Sequence, residues 1–365
     1  MREQLKVVNL VIPTTKLYNI SPHAMKQETT FYEDLQTSKD LDLRDNRGKR
    51  RNLALALTGL ILAILRKRDG TLSSLHRSMV NNQERTCAAL GIDNEKVVSR
   101  SHFPILLGKV NRSAFEGLLF AHYGIELSED QKQWFAGDGK ELRGSIEKGE
   151  KRGEVSVQIV SHQERAVVGQ AFYNGTKDSE KPCLRDLAQR TGVHKQGLTA
   201  DALHLHPGMT ESIHQAGGVF VIGLKDNQKE LLTDMIDHTE AFAPSFEQRT
   251  VDKGHGRLEI RYYSCFDISE EYVESRWNRS GLTSLIRVRR IRTALKTKEE
   301  SEQVAYYISN GKSENALEYF EAVRNHWAIE VNNHYRDVSL DEDQFRTKKS
   351  RLLSSWPALE HWCWN

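Results

Sequence analysis

Three carboxylates stand where the chain could offer them to a metal ion: Asp138, Asp201 and Glu330. Asp138 ends the apolar run Trp134-Phe135-Ala136 and is bracketed by Gly137 and Gly139, residues that let a backbone bend and a substrate approach closely. Asp201 closes a second short apolar stretch. Glu330 sits in a helical pattern with His326, His334 and Asp337 at steps of four and three, hence on one face. Three acids at one cleft suit two divalent cations about 3.5–4 Å apart, which activate a water or 3′-hydroxyl and stabilise the leaving oxygen in phosphodiester chemistry. Hard oxygen ligands favour two Mg²⁺ or Mn²⁺ ions. Each acid also has a plain structural reading. Asp138-Gly139 is a hairpin signal, Asp201 could cap the following helix, and Glu330 could pair with Arg324 or Arg336. His204 and His206 beside Asp201 have zinc-ligand chemistry, but no third or fourth ligand follows by spacing. They are expected instead to orient a metal-bound acid or touch phosphate.

The elements that must position these acids follow from periodicity. Helical patterns run from Asn52 to Leu65, from Thr71 or Ser73 through Val80, from Gln83 to Leu90, and from an N-cap at Ser101 past Leu107 to Val110. After Gln133 the period turns strand-like. Val155–Val160 and Ala166–Tyr173 flank a turn at His162–Arg165, making a three-strand meander with the Asp138 strand. Then come a helix (Pro182–Arg190), a strand (Gly197–Asp201), a helix (Met209–Ala216), a strand (Val219–Leu224) and a helix (Gln228–Ala241). Such alternation means parallel strands with crossover helices. The predicted class is therefore α/β: an RNase H-like core with a β-rich insertion, preceded by an α-helical N-terminal domain. In such a sheet the Asp138 strand is central with the Asp201 strand beside it, and both acids lie where ligands of open α/β sheets bind.

The expected organisation is an arm at 1–45, a helical domain at 46–130, a first core part at 131–244 and an insertion at 245–312. The glutamate helix follows at 313–350, then a tail at 351–365. At 365 residues there is room for two or three packed units. Cys87, Cys183, Cys265 and Cys363 form no Cys-x-x-Cys pair, so reduced thiols in a cytoplasmic protein, nucleoid-associated only when bound to DNA, are expected. The N-terminus carries no signal-peptide pattern, and Leu53–Leu65, the one membrane candidate, is too short to cross a bilayer. Net charge is only +2, but the positive charge is concentrated locally. Arg287, Arg289, Arg290 and Arg292 lead on to Lys296 and Lys298 without an acid, and Arg44–Arg51 holds five basic residues. Such blocks are phosphate-binding candidates as well as ordinary solvated faces.

Five ordered blocks, Ala136–Ser145, Thr199–His204, Leu224–Gln228, His255–Glu259 and Arg324–Glu330, resemble those of the H-repeat-associated transposases, bacterial insertion-sequence enzymes with a DDE triad on an RNase H-like fold. The likeness runs from about Arg44 to Arg346. It implies Asp138, Asp201 and Glu330 as the catalytic and metal-binding triad. It also implies double-stranded DNA as partner, both terminal inverted repeats and target, with a homodimer on DNA and no membrane. Lys140, Arg143, His204, Lys225, Asn227, Gln228, His255, Arg257, His326 and His334 join the four arginines as expected DNA contacts. Related cut-and-paste transposases carry Tyr-x2-Arg-x3-Glu-x6-Lys around the glutamate, where this chain has Val323, His326, Glu330 and Asp337. The rival expectations are a degenerate or domesticated DNA-binding protein on the same fold and a stand-alone metal-dependent nuclease.

Overall fold

The computed structural model describes residues 29–66, 71–123, 127–128, 130–146, 149, 151–174, 177–268 and 276–338. Residues 1–28, the end of the expected glutamate segment at 339–350 and the tail at 351–365 lie outside them. The first elements are helical: α1 (Phe31–Thr37), α2 (Leu53–Arg66), α3 (Leu72–Leu90), α4 (Phe103–Leu107) and α5 (Arg112–Tyr123). Their buried side chains form one apolar cluster from Phe31 to Leu119. α2 is buried all round from Leu53 to Ile64, as an unbroken apolar run requires. No described helix is long and apolar enough to cross a membrane. Cys87, Cys183 and Cys265 are free thiols.

Three local expectations are corrected. The stretch expected to be an arm contains α1, closed by a Thr30–Glu33 capping box and burying Phe31, Tyr32 and Leu35. Thr71 and Gly91 cap a single helix rather than two, because Asn81-Asn82 puts neither proline nor glycine at the supposed break. α4 starts after His102, with no side-chain cap from Ser101.

Beyond Gln133 the chain builds one nine-stranded mixed sheet, ordered β3-β2-β1-β4-β5-β9-β8-β7-β6. β1 (Trp134–Glu141), β2 (Glu154–Ser161) and β3 (Val167–Asn174) form the antiparallel meander. β4 (Gly197–Ala200) and β5 (Val219–Leu224) join it in parallel. Both are almost wholly buried, as continuous apolar runs in a sheet covered on two faces should be. The β-rich segment is part of the same sheet: β9 (Glu300–Ser309) pairs antiparallel with β5, followed outward by β8 (Ser284–Ala294), β7 (Arg257–Asp267) and β6 (Phe246–Gly254).

Helices cover both faces. α6 (Lys177–Thr191), α7 (Pro207–Gln215) and α8 (Lys229–Ala241) pack on Phe135, Val157, Leu198 and Phe220. α9 (Ala316–Asn325) and α10 (Trp327–Val338) lie opposite, over Ala136, Val160, Val221 and Ile286. α6 begins earlier than predicted and carries Pro182 inside it. The single glutamate helix expected is two helices that part at His326.

The glycines around Asp138 serve the fold in an unexpected way. β1 neither turns nor bends there; it runs on to Glu141, which excludes the hairpin reading. Gly137 and Gly139 face α6. A Cβ at Gly137 would stand 2.7 Å from Leu184, and one at Gly139 would stand 2.5 Å from the Glu180 carboxyl carbon. The missing side chains admit a helix rather than a substrate. Gly137→Ala is accordingly expected to overpack the interface and cost about 1–3 kcal/mol of unfolding free energy. Gly117→Ala in α5, where a Cβ meets nothing within 4 Å, should be neutral or stabilise by up to about 1 kcal/mol. Denaturant unfolding of both variants checks the contrast.

Candidate metal centre

β1 and β4 run in parallel with Gly137 opposite Ala200. β4 stops there while β1 continues, so Asp138 has Gln158 of β2 on one side and the open end of β4 on the other. Asp201 leaves β4 at the level of Asp138. Its Oδ1 accepts from the Leu203 N–H at 2.9 Å, capping the short turn Ala202–His204, while its side chain stays 48% exposed. Burial pushes the Asp138 carboxyl up to about 6, and the Asp201 charge adds to that rise; the Gly139 N–H and His204 oppose it. A carboxylate stripped of water beside a second acid is the electrostatic setting that a bound cation relieves.

Among the described residues, one group has metal-ligand atoms that all lie within 4.8 Å of one another: Asp138, Glu180 and His204. Glu180 comes from α6 and lies over Gly139. Its Oε2 accepts from the Tyr173 hydroxyl at 2.9 Å and its Oε1 stands 3.3 Å from His204 Nε2. His204, expected to touch DNA, is fully buried, and neither ring nitrogen has a hydrogen-bond partner. Nothing in the sequence marks Glu180, which stands among other charges in Lys177–Lys181. The available signal was indirect, in the two glycines whose bare faces make room for a helix. His206 is outside the group; its Nδ1 accepts from the Met209 N–H and caps α7.

Glu330 is also outside the group and is exposed. Its helix nevertheless lies over the site. Asn333 Nδ2 donates to Asp138 Oδ2 at 3.3 Å, and Lys140 pairs with Asp337. Glu330 therefore stands one turn before the Asn333 contact, about 5 Å along the same face. Gln158 Oε1 accepts from Asn332 Nδ2 at 2.7 Å and from Arg336 Nη1 at 3.0 Å, a buried polar anchor that fixes α10 on β2. Arg336 and Arg324 turn away from the surface pairing considered for Glu330: Arg336 to Gln158, Arg324 to Asp252 at 3.1 Å. Beneath Asp201, His326 Nδ1 and His162 Nε2 each lie 2.9 Å from Thr199 Oγ1. Burial lowers His326 to about 4, so its ring is neutral near pH 7 and faces inward rather than presenting a cation.

The other candidate DNA contacts divide by environment. Asn227 and Gln228 donate to the carbonyls of Ala202 and Leu205, holding the turn after Asp201. Lys225, Arg143, His334 and His255 are exposed, His255 at the β6–β7 hairpin with a positive φ. Register puts Arg290 and Arg292 of β8 on the face shared with Arg257 and Arg261 of β7, and Arg287 and Arg289 on the other. The first face is the one covered nearer the core by α9. There Glu259 sits among Arg257, Arg261 and Arg292, and the half-buried Tyr307 lies within electrostatic reach of both Arg290 and Glu330. On the opposite face Arg289 is held bidentately by Glu302 and Arg287 lies 5.2 Å over Phe266.

The fold and site define an α/β protein with two carboxylates at the carboxyl ends of adjacent parallel strands. By sequence, the chain is similar to the H-repeat-associated transposases. It is 28% identical over 242 residues to "H repeat-associated putative transposase YhhI" of Escherichia coli K12, and equally so to "Putative protein YbfL" of the same strain; each match covers 64% of this chain and 64% of the relative. It is 27% identical over 225 residues to "Putative transposase YncI" of Escherichia coli O157:H7, covering 58% of this chain and 56% of that one. No family model matches the chain.

The raised Asp138 pKa carries a signed prediction. Its folded value, about 6, exceeds its ordinary 3.8, so ionising it opposes folding, and cation-free stability falls as pH rises through that window. Asp138→Asn should lack this fall and, above pH 6, be more stable than the parent by about 1–3 kcal/mol in chelator. Thermal or denaturant unfolding from pH 4 to 8 measures the difference.

Proposed function

We propose that the chain is a DNA transposase. On this reading it cuts phosphodiester bonds at the terminal inverted repeats of an insertion sequence and joins the freed 3′-hydroxyl to target DNA, as a homodimer on DNA. The observation that carries the reading is the delivery of Asp138 and Asp201 at one level by adjacent parallel strands, with α10 tied to Asp138 through Asn333. Similarity to proteins named as transposases supports it. So does the strand order β3-β2-β1-β4-β5, three antiparallel strands followed by two parallel ones, which suits an RNase H-like core. In this organisation residues 131–244 and 313–350 make the core, 245–312 its β-rich insertion, and 46–130 an associated helical domain.

Asp138, Asp201 and Glu330 are the residues we assign to two Mg²⁺ or Mn²⁺ ions; a desolvated Asp138 repelled by the neighbouring Asp201 charge fits such ions. Bound there, the ions would supply activation of the attacking oxygen and stabilisation of the leaving one. The protein's own residues do the remaining work. Asn333 orients the Asp138 carboxylate by donating to Oδ2, and the Asn332 and Arg336 bonds to Gln158 hold α10, the helix of Glu330, on β2. Arg290 and Arg292, on the α9 face of the sheet extension, meet phosphates of the bound duplex.

Asp138→Asn, Asp201→Asn and Glu330→Gln should each lower Mg²⁺- or Mn²⁺-dependent cleavage and strand transfer by orders of magnitude, while shift assays in chelator show DNA binding kept. Binding of a terminal-repeat duplex without cleavage by the unaltered chain under either metal would instead establish the degenerate reading, and cleavage without joining the nuclease. Separately, Arg290→Gln with Arg292→Gln should reduce the slope of log affinity against log salt by roughly 2, about 0.9 per lost phosphate contact. Arg289→Gln, which breaks a pair with Glu302, should leave that slope close to the parent value.

A further inference from the structure

The acids assigned above leave two buried groups of the same cleft without a role. Glu180, from α6, and His204, from the turn after β4, meet Asp138 with all three ligand atoms inside 4.8 Å. Two ligands of one ion at about 2.1 Å each stand about 3–4 Å apart, so small side-chain adjustments bring this trio onto a single centre. His204 is wholly enclosed, and both its ring nitrogens lack a hydrogen-bond partner, including Nε2, which stands 3.3 Å from Glu180 Oε1. Buried imidazoles are ordinarily satisfied, so one aimed at two carboxylates calls for a partner that takes a lone pair. The Tyr173 hydroxyl fixes Glu180 through the other oxygen, as partners of metal-ligating carboxylates do, and burial raises the phenol so that it stays a donor.

We propose that Asp138, Glu180 and His204 bind one divalent transition-metal ion, of the Mn²⁺ or Zn²⁺ class in preference to Mg²⁺, at the buried end of the cleft. The selectivity follows from the donor set: Mg²⁺ is confined to oxygen ligands and retains its waters, whereas an imidazole nitrogen beside two carboxylates suits a softer ion. Asp138 is then the ligand common to an inner set, with Glu180 and His204, and an outer set, with Asp201. The site deepens the cation reading given above and rests on it for Asp138 alone.

Direct binding tests the site without reference to DNA chemistry. The metal-free full-length chain would be titrated with Mn²⁺ and with Mg²⁺ by calorimetry, and its Mn²⁺ complex examined by pulsed electron paramagnetic resonance. We expect Mn²⁺ to bind at least about tenfold more tightly than Mg²⁺, with hyperfine coupling to a directly bound imidazole nitrogen. His204→Asn should abolish that coupling, and Glu180→Gln should weaken Mn²⁺ about tenfold or more. Glu330→Gln should leave the coupling in place. Melting in chelator, unchanged or raised in His204→Asn and Glu180→Gln, shows that both fold. If either fails to fold, the nitrogen coupling of the unaltered chain decides. Absence of that coupling, or Mn²⁺ affinity unchanged in folded variants, overturns the site. A chain that shows the coupling yet never cuts DNA keeps this site and loses the transposase reading. One that cuts DNA without the coupling does the reverse.

Discussion

The structure is arranged around a half-buried carboxylate on a central strand, hemmed in by helices on both faces of the sheet. Asp138 lies inside a strand rather than on a loop, so its backbone is fixed by pairing with β2, and its side chain meets Asn333 of α10. Its neighbours Gly137 and Gly139 expose bare backbone to α6 on the other face, where Leu184 and Glu180 close in. The dehydration that raises its pKa is thus a product of close packing by helices on both sides. Removing water from an acid is unfavourable, and folded proteins tolerate it mainly where the charge is put to use.

Rigidity around that acid comes from a buried polar network. Gln158, Asn332 and Arg336 are nearly inaccessible and bonded to one another between β2 and α10. Two donors converging on the Gln158 carbonyl oxygen favour one seating of the helix, the seating that brings Asn333 to Asp138, although the buried Gln158 Nε2 has no hydrogen-bond partner among the described residues. The break at His326 belongs to the same arrangement. It lets α9 follow the apolar surface of Tyr263, Cys265 and Ile286 while α10 crosses β1 and β2, and it turns His326 inward onto Thr199.

The sheet extension ties the cleft to a charged surface. Because β9 pairs with β5, strands β6 to β9 continue the core sheet, and their alternation carries arginines to both faces. On the α9 face Arg257, Arg261, Arg292 and Arg324 share Glu259 and Asp252 while Arg290 donates to the neutral Gln303, leaving an excess of positive charge. On the opposite face Arg289 is matched by Glu302. Alternation alone assigns the faces; only the pairing partners say which of them retains charge for a phosphate backbone.

The sequence by itself determined the α/β alternation, the adjacency of the Asp138 and Asp201 strands, the extent of Val219–Leu224 and the two-faced placement of the arginines. These are local properties, set by side-chain period and by the short reach of crossover connections. The tertiary structure decided what depends on segments far apart in the chain. It placed Glu180 and His204 beside Asp138 and left Glu330 one turn from the Asn333 contact. It also turned Gly137 and Gly139 toward a helix instead of a ligand, and joined the β-rich segment to β5. A glycine records that something approaches closely but not what approaches, and a glutamate within a charged helix looks the same whether it faces water or an aspartate. The identity of the neighbour is settled only when distant elements pack.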